Sequence, residues 1–207
     1  MNLRSDTFDD GGRIPGVAAF CVPADEGHVA LGANTSPHLA WSGAPAAAKS
    51  FAILCHDPDA PSVGDDVNCE DRSVPHDLPR VDFYHWVLVD IDPGVTALAA
   101  GADSDAVTLG GKALGATPHG VRGINNYTDW FGDDPDMGGE YGGYDGPCPP
   151  WNDERIHRYV FTVYALDVAT LGLSGTFGGP EALAAMAGRV LASASITGTY
   201  TLNPALR

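Results

Sequence analysis

Residues 144–166, YDGPCPPWNDERIHRYVFTVYAL, join a proline-rich loop to the start of a buried strand. Three of the four residues 147–150 are prolines, which fix φ and lack an N–H, so this loop is stiff and cannot join a hydrogen-bonded ladder. The β-branched and aromatic run after it predicts a buried strand over 159–166. His157 and Tyr159 are two positions apart and therefore point to the same face at the strand mouth. This arrangement suits a small polar pocket.

Two earlier segments carry further candidate pocket residues. The turn DPDAP at 57–61 follows the apolar run 51–54, and His85 opens another predicted strand. Regular alternation places His85 on the face opposite to Trp86 and Leu88. Each aspartate of the turn could instead cap it by accepting backbone N–H groups, and His85 could equally be a core or an exposed histidine.

Composition favours one domain that is rich in β-structure. The chain has 207 residues, of which 44% are hydrophobic, so it can bury a sizeable core within a single domain, 1–207. Its 26 glycines and 16 prolines are typical of many short strands joined by irregular loops. The other predicted strands cover residues 18–21, 39–41, 51–56, 85–91 and 196–202.

One helix is predicted, over about 180–194. Pro180 and Glu181 form a start signal, because proline suits the first turn and a carboxylate suits the positive end of the helix dipole. Apolar residues then recur at helical spacing and predict a stripe that packs on a sheet. They are Leu183, Met186, Ala187, Val190, Leu191 and Ala194.

The charge excludes some partners. A net charge of −16 is repelled by nucleic-acid backbones and anionic lipid surfaces, and no basic patch offsets it. The acids cluster in 57–82 and 129–145, either as solvated loops or as a site for a cation or a cationic substrate. No run reaches membrane-spanning length and no signal peptide is recognisable, so we expect a cytoplasmic protein without stable membrane insertion. Its four cysteines are then expected to be reduced thiols.

The loop 114–147 is long and aromatic. Side chains such as Tyr127, Trp130 and Tyr144 argue against disorder because so much aromatic area seeks burial. We expect either an ordered loop folded over the rim of the pocket or an interface with a second subunit.

Three elements in this order resemble the phosphatidylethanolamine-binding protein family: DPDAP, the strand start at His85-Trp86, and GPCPP followed by His157-Arg158-Tyr159. The resemblance is strongest to the bacterial and archaeal Raf-kinase-inhibitor-like branch of that family. The resemblance covers about residues 14–203. It implies a mainly β fold: a sandwich of antiparallel strands with a few peripheral helices, at least one cis peptide bond in the turn 57–61, and a homodimer. The chain departs from the family pattern in two places. The spacer 151–156 is acidic and longer than is usual in the family, and the segment 62–83 is also long.

The resemblance also implies a pocket for phosphate-like or phospholipid head groups. Expected to surround the ligand are Asp57, His85, His157 and Tyr159, with Asp59, Gly146, Pro147 and Cys148 in the wall. Two imidazoles with an ordinary pKa of about 6.5 could both be held protonated by a phosphate, and loop N–H groups could add donors. Asp57 would orient one imidazole.

The leading interpretation is therefore a non-enzymatic binding protein without a cofactor. It would hold a small phosphate-like or carboxylate ligand and could regulate a protein partner such as a kinase or protease. One alternative is an enzyme that uses Asp57, His85 and His157 for acid–base chemistry or for a metal, or Cys148 and His157 as a nucleophile pair. Another alternative is an interaction protein whose pocket is vestigial.

Overall fold

A computed structural model describes residues 1–207, which form eleven strands and two short α-helices. The strands are β1 (Asn2–Arg4), β2 (Cys21–Pro23), β3 (Val29–Leu31), β4 (Leu39–Ser42), β5 (Ser50–Pro61), β6 (Arg80–Ile91), β7 (Ala97–Leu98), β8 (Gly115–Thr117), β9 (Gly120–Arg122), β10 (His157–Leu166) and β11 (Val190–Tyr200). The helices are α1 (Tyr127–Trp130) and α2 (Gly179–Met186).

A six-stranded antiparallel sheet organises the molecule, in the order β11-β10-β5-β6-β9-β8. A three-stranded sheet, β1-β4-β7, and the hairpin β2-β3 complete the strand structure. One face of the large sheet packs against these smaller sheets around residues such as Trp41, Phe51 and Phe161. The other face carries a smaller cluster that includes Met186 of α2. The predicted mainly β sandwich with few helices is thus confirmed.

A β-bulge in β6 changes the face of the sheet to which the His85 side chain points. On β5, Cys55 pairs with Trp86 and His56 pairs with Tyr84, so His85 has no partner there. An extra residue of this kind locally disrupts the ladder and breaks the alternation of faces. The ring of His85 consequently lies on the same side as Trp86, against Tyr159. The prediction that His85 and Trp86 lie on opposite faces is wrong for this reason.

Helix α2 is shorter than predicted. It ends at Met186, and Gly188 then adopts a φ of +74°, a left-handed conformation that commonly stops a helix. The rest of the predicted stripe belongs to β11, where Val190 and Leu191 are 42% and 40% exposed. The pattern does not distinguish the two structures, because its alanines and serines are compatible with a helical stripe and with an alternating strand.

Two further local predictions need correction. The strand predicted over 18–21 is absent from most of that range: Ala18 ends a 3₁₀ turn (Gly16–Ala18), and β2 starts only at Cys21. The turn 57–61 continues strand β5 with an irregular register between Asp57 and Ala60, and no peptide bond in the chain is cis. The bulged strand accommodates both prolines in an extended conformation.

Cys21 and Cys148 form a disulfide with a Cα–Cα distance of 4.8 Å. The prediction of reduced thiols is therefore wrong for these two cysteines, while Cys55 and Cys69 are free. The sequence separation of 127 positions between the two half-cystines hid this proximity from the sequence. The bond fastens the β2-β3 hairpin to the proline-rich loop.

No helix is long and apolar enough to cross a membrane.

Replacing both half-cystines by alanine should lower the free energy of unfolding by about 2–5 kcal/mol, because the disulfide closes a long loop in the unfolded chain. Urea denaturation followed by tryptophan fluorescence measures the change. Cys69→Ala is the matched control, and its effect should stay within about 0.5 kcal/mol because the thiol is only partly buried. Equal urea midpoints for the double variant and the wild type would show that the disulfide does not stabilise the fold.

Candidate functional site

A cavity of about 320 Å³ opens where β5, β6 and β10 meet the proline-rich loop. The predicted residues Asp57, His85, His157, Tyr159 and Cys148 line it. The remaining lining comes from segments that surround the mouth: Ala60, Pro61, Ser62, Val63, Gly64, Val67, Asn68, Val81, Phe83, Tyr127, Trp130, Pro149 and Pro150. Since α1 supplies Tyr127 and Trp130, the aromatic loop forms part of the rim of the cavity. This is the first of the two roles expected for the loop, the other being an interface with a second subunit.

His157 sits between two carboxylates at the inner end of the cavity. Its Nδ1 lies 2.6 Å from Oδ2 of Asp57, and its Nε2 lies 3.0 Å from Oδ2 of Asp153. All three side chains are almost completely buried. We call this arrangement the Asp57–His157–Asp153 clasp. Because both ring nitrogens are occupied, His157 has no free N–H to offer a ligand.

The clasp holds a charged imidazole. Burial by itself would lower the pKa of His157, but the nearby charge of Asp57 and the hydrogen bonds that the ring donates to Asp153 and Asp57 outweigh it and raise the pKa to about 9. His157 is therefore an imidazolium at neutral pH without help from a phosphate. Its charge is already matched by the two carboxylates.

Asp153 comes from the acidic spacer 151–156, and its role was missed by sequence reasoning. Its carboxylate also accepts hydrogen bonds from Arg80 at 2.5 and 3.0 Å. Arg80 in turn donates to the carbonyls of Asp59 and Pro75. Burial alone would raise the pKa of Asp153, but the hydrogen bonds from His157 and Arg80 hold it below its usual value. The spacer thus compensates charge at the inner end of the cavity.

The protonation state of His85 is the opposite of that of His157. Its Nδ1 lies 2.8 Å from the carbonyl oxygen of Asp145, which can only accept, so Nδ1 carries the hydrogen. Burial lowers the pKa of His85 to about 4 despite the raising influence of Asp57. At neutral pH the imidazole is therefore uncharged. In this tautomer Nε2 carries the lone pair. The carbonyl of Gly146 lies close enough to the ring to raise the pKa of His85, as the carbonyl of Asp145 does, but the effect of burial is larger.

Tyr159 supplies a free hydroxyl. Its side chain is buried, packs edge-on against His85 at 5.1 Å between ring centroids, and its hydroxyl has no hydrogen-bond partner. An unpaired buried hydroxyl costs about 1–3 kcal/mol, and such groups in a native structure call for an explanation. A ligand oxygen would satisfy this hydroxyl.

Three of the expected wall residues do not line the cavity. Asp59 is instead held by Arg158 in a bidentate pair at 2.8 and 3.0 Å, because the two side chains share the other face of the sheet. The N–H of Gly146 is occupied by Oδ1 of Asn34, so it cannot serve a ligand. Pro147 lies behind the wall, where its carbonyl accepts from Phe20 and Cys21.

Cys148 reaches the cavity as one half of the disulfide. Its sulfur is bonded to Cys21, which removes the thiolate that a Cys–His nucleophile pair needs. Its N–H, by contrast, has no acceptor in the protein. Among residues 147–150 it is the only backbone N–H, because the other three are prolines.

An apolar rim surrounds the mouth. Val63, Val81 and Trp130 line the cavity and are 51%, 48% and 52% exposed. Large apolar side chains in one exposed patch often mark a binding site. The cavity therefore combines a polar inner end with an apolar entrance, and its charged lining residues, Asp57 and His157, cancel each other.

Comparison with known proteins gives a consistent result over the whole chain. A family model described as phosphatidylethanolamine-binding protein matches residues 4–201. A UPF0098 protein of Methanothermobacter thermautotrophicus is 35% identical over 97% of this chain and 98% of its own length. The UPF0098 protein YbhB of Escherichia coli is 33% identical, with 97% of this chain and 100% of that protein covered.

A solved structure agrees with these relatives. The crystal structure of Escherichia coli YbcL, described as a new member of the mammalian PEBP family, matches with a TM-score of 0.68 and 27% identity. The match covers 97% of each chain.

Asp153→Asn should lower the free energy of unfolding by about 3–5 kcal/mol, because it leaves the buried charges of Arg80 and His157 with one carboxylate fewer. Its sequence neighbour Glu154 is the matched control, since its exposed carboxylate accepts only from Ser73 and the His76 N–H. Glu154→Gln should cost less than about 1 kcal/mol. Equal losses in the two variants, measured by urea denaturation at pH 7, would contradict the role given to the clasp.

Proposed function

Because the chain belongs to the phosphatidylethanolamine-binding protein family, we propose that its cavity binds a small amphiphilic ligand with a phosphate-like head. The head occupies the inner end, beside Tyr159 and His85. The apolar part of the ligand lies in the entrance. The protein acts as a binding protein and not as an enzyme.

The unpaired Tyr159 hydroxyl is the observation that carries this proposal. It is buried, it makes no hydrogen bond within the protein, and its residue lines the cavity of about 320 Å³. The N–H of Cys148 is a second unused donor in the wall. Two unused donors beside one cavity favour a ligand rich in acceptor oxygens, such as a phosphate or a carboxylate.

The apolar entrance favours an attached hydrocarbon group. Val63, Val67 and Trp130 all line the cavity, so an alkyl chain leaving the head would contact them. Burial of each CH₂ group contributes about 0.8 kcal/mol to such binding. This contribution offsets the long-range repulsion that a protein of net charge −16 exerts on an anion, which is screened beyond about 8–10 Å at physiological salt.

Catalysis has little support from the site. Both oxygens of Asp57 are engaged, one by His157 and the other by the N–H of Asp59, and His157 has no free nitrogen. A general base needs a free acceptor near the substrate, which leaves only His85. No cluster of three or more His, Cys, Asp or Glu side chains is arranged to hold a metal ion.

The partners of the protein and its cellular location are part of the proposal. A homodimer and a regulated kinase or protease partner are expected from the family resemblance alone. The cytoplasmic location expected from the absence of a recognisable signal peptide implied reduced thiols, and the Cys21–Cys148 disulfide argues against that location, because disulfides persist mainly in oxidising compartments.

Tyr159→Phe should weaken the binding of hexyl phosphate about 10- to 100-fold, because a hydrogen bond to a charged group contributes about 1.5–3 kcal/mol. Titration calorimetry at pH 7 measures the affinity. The same variant should leave the free energy of unfolding unchanged or raised, since the lost hydroxyl has no partner in the free protein.

Tyr164→Phe is the matched control, because Tyr164 lies in the same strand but belongs to the cluster on the other face of the sheet. It should bind hexyl phosphate like the wild type. Failure of the wild-type protein to bind hexyl phosphate or phosphoethanolamine at millimolar concentration would refute the proposed function. Equal weakening by both substitutions would refute the role of Tyr159.

A further inference from the structure

The surroundings of His85 limit the chemical form in which an oxyanion can enter the cavity. The carbonyl of Asp145 fixes the hydrogen on Nδ1, so a neutral His85 presents a lone pair at Nε2. A lone pair repels a fully ionised phosphate oxygen placed against it. The contact becomes favourable only when one hydrogen lies between the two atoms.

No neighbouring group can supply that hydrogen. The titratable side chains around His85 are Asp57 from β5, His157 and Tyr159 from β10, and Tyr127 from α1. The Tyr127 hydroxyl already donates to the carbonyl of Gly146, and His157 is held by its two carboxylates.

Asp57, Tyr159 and the adjacent Asp145 do not supply it either. Both oxygens of Asp57 already accept hydrogen bonds, one from His157 and one from the N–H of Asp59. Burial holds the pKa of Tyr159 well above its usual value, so its hydroxyl can donate a hydrogen bond but does not release its proton. The Asp145 side chain is fully buried and bound by Asn34, Lys112 and Asn125.

We infer that the ligand is held together with one proton, shared between its oxyanion and Nε2 of His85, and that the cavity therefore selects phosphomonoesters over phosphodiesters. This inference rests on the proposed function and specifies the ligand class for that site. A phosphomonoester exchanges its second proton near pH 6 and can bring it as a P–OH group. A phosphodiester has no such proton, so His85 must take one from water.

The preference has a predictable size. At pH 7, protonating a group with a pKa of about 4 costs roughly 1,000-fold in affinity, whereas protonating a phosphomonoester with a pKa near 6 costs roughly 10-fold. The monoester should therefore bind about 100-fold more tightly than a diester of the same chain length. The proton balance is simple: one proton moves from the buffer to the complex, and no covalent bond to phosphorus changes.

The sign of the pH dependence of the affinity follows from this proton uptake. Above pH 6 the monoester is mainly a dianion and must gain a proton on binding, so its affinity should fall about tenfold for each pH unit from 7 to 8. Between about pH 5 and 6 the ligand already carries the proton, and the affinity should be nearly constant.

Calorimetric titration of the wild-type protein with hexyl phosphate and with hexyl methyl phosphate tests the inference. The titrations are run at pH 7.5 in two buffers of different ionisation enthalpy, which gives the number of protons taken up. We expect close to one proton for hexyl phosphate and about 100-fold weaker binding of the diester. Binding of hexyl phosphate without proton uptake, or equal affinities for the two probes, would overturn the inference and leave the proposed function standing. Failure of both probes to bind would overturn the proposed function as well.

Variants locate the proton. His85→Gln should retain hexyl phosphate binding but lose the proton uptake and the pH dependence, since an amide can donate to a dianion without titrating. His119→Gln, on the β8–β9 turn, is the matched control and should behave as the wild type. Unchanged proton uptake in His85→Gln would overturn the assignment to His85. If His85→Gln does not fold, the imidazole ¹⁵N signals of the wild-type protein on saturation decide instead: a hydrogen must appear at Nε2 of His85, and an unaltered His85 signal overturns the inference.

Discussion

The buried imidazolium of His157 is the interaction on which the site depends. A charge in the interior persists only when it is paired and hydrogen-bonded, and here Asp57 and Asp153 meet both requirements. The same network fixes the chain around the cavity. Asp57 belongs to β5, His157 to β10 and Asp153 to the spacer, and Arg80 at the start of β6 binds Asp153.

Satisfying this charge determines which groups are left for a ligand. With both nitrogens of His157 occupied, the free polar groups at the inner end are Nε2 of His85 and the hydroxyl of Tyr159. The bulge in β6 brings His85 to that side of the sheet, next to Tyr159. Together with the N–H of Cys148 in the wall, these groups make the cavity a nearly neutral site with one acceptor and two donors, and not the doubly cationic pocket that two histidines in a sequence suggest.

Much of the fold was predictable because it follows from local patterns. The apolar runs at 51–56, 85–91 and 159–166 lie within the three central strands, and the motif order was sufficient to identify the sandwich. Predictions failed where the decisive contact is distant or the pattern is ambiguous. Cys21 and Cys148 are 127 residues apart, and the small residues of β11 fit a helix as well as a strand.

The functional site was likewise predictable only in part. Asp57, His85, His157 and Tyr159 could be named from motif positions, but their protonation could not, because it depends on partners that only the fold brings together. In the sequence, Asp153 is only one of the acids in the spacer 151–156, which departs from the family pattern. Its contact with Arg80 spans 73 residues, so its actual role as a charge partner was not visible.

The protonation states of the two histidines in the free protein test the account most directly. Long-range ¹H–¹⁵N NMR spectra at pH 7 distinguish a charged imidazole from each neutral tautomer. The account predicts hydrogens on both nitrogens of His157 and on Nδ1 alone of His85. A neutral His157, a charged His85, or a hydrogen on Nε2 of the free His85 would contradict it.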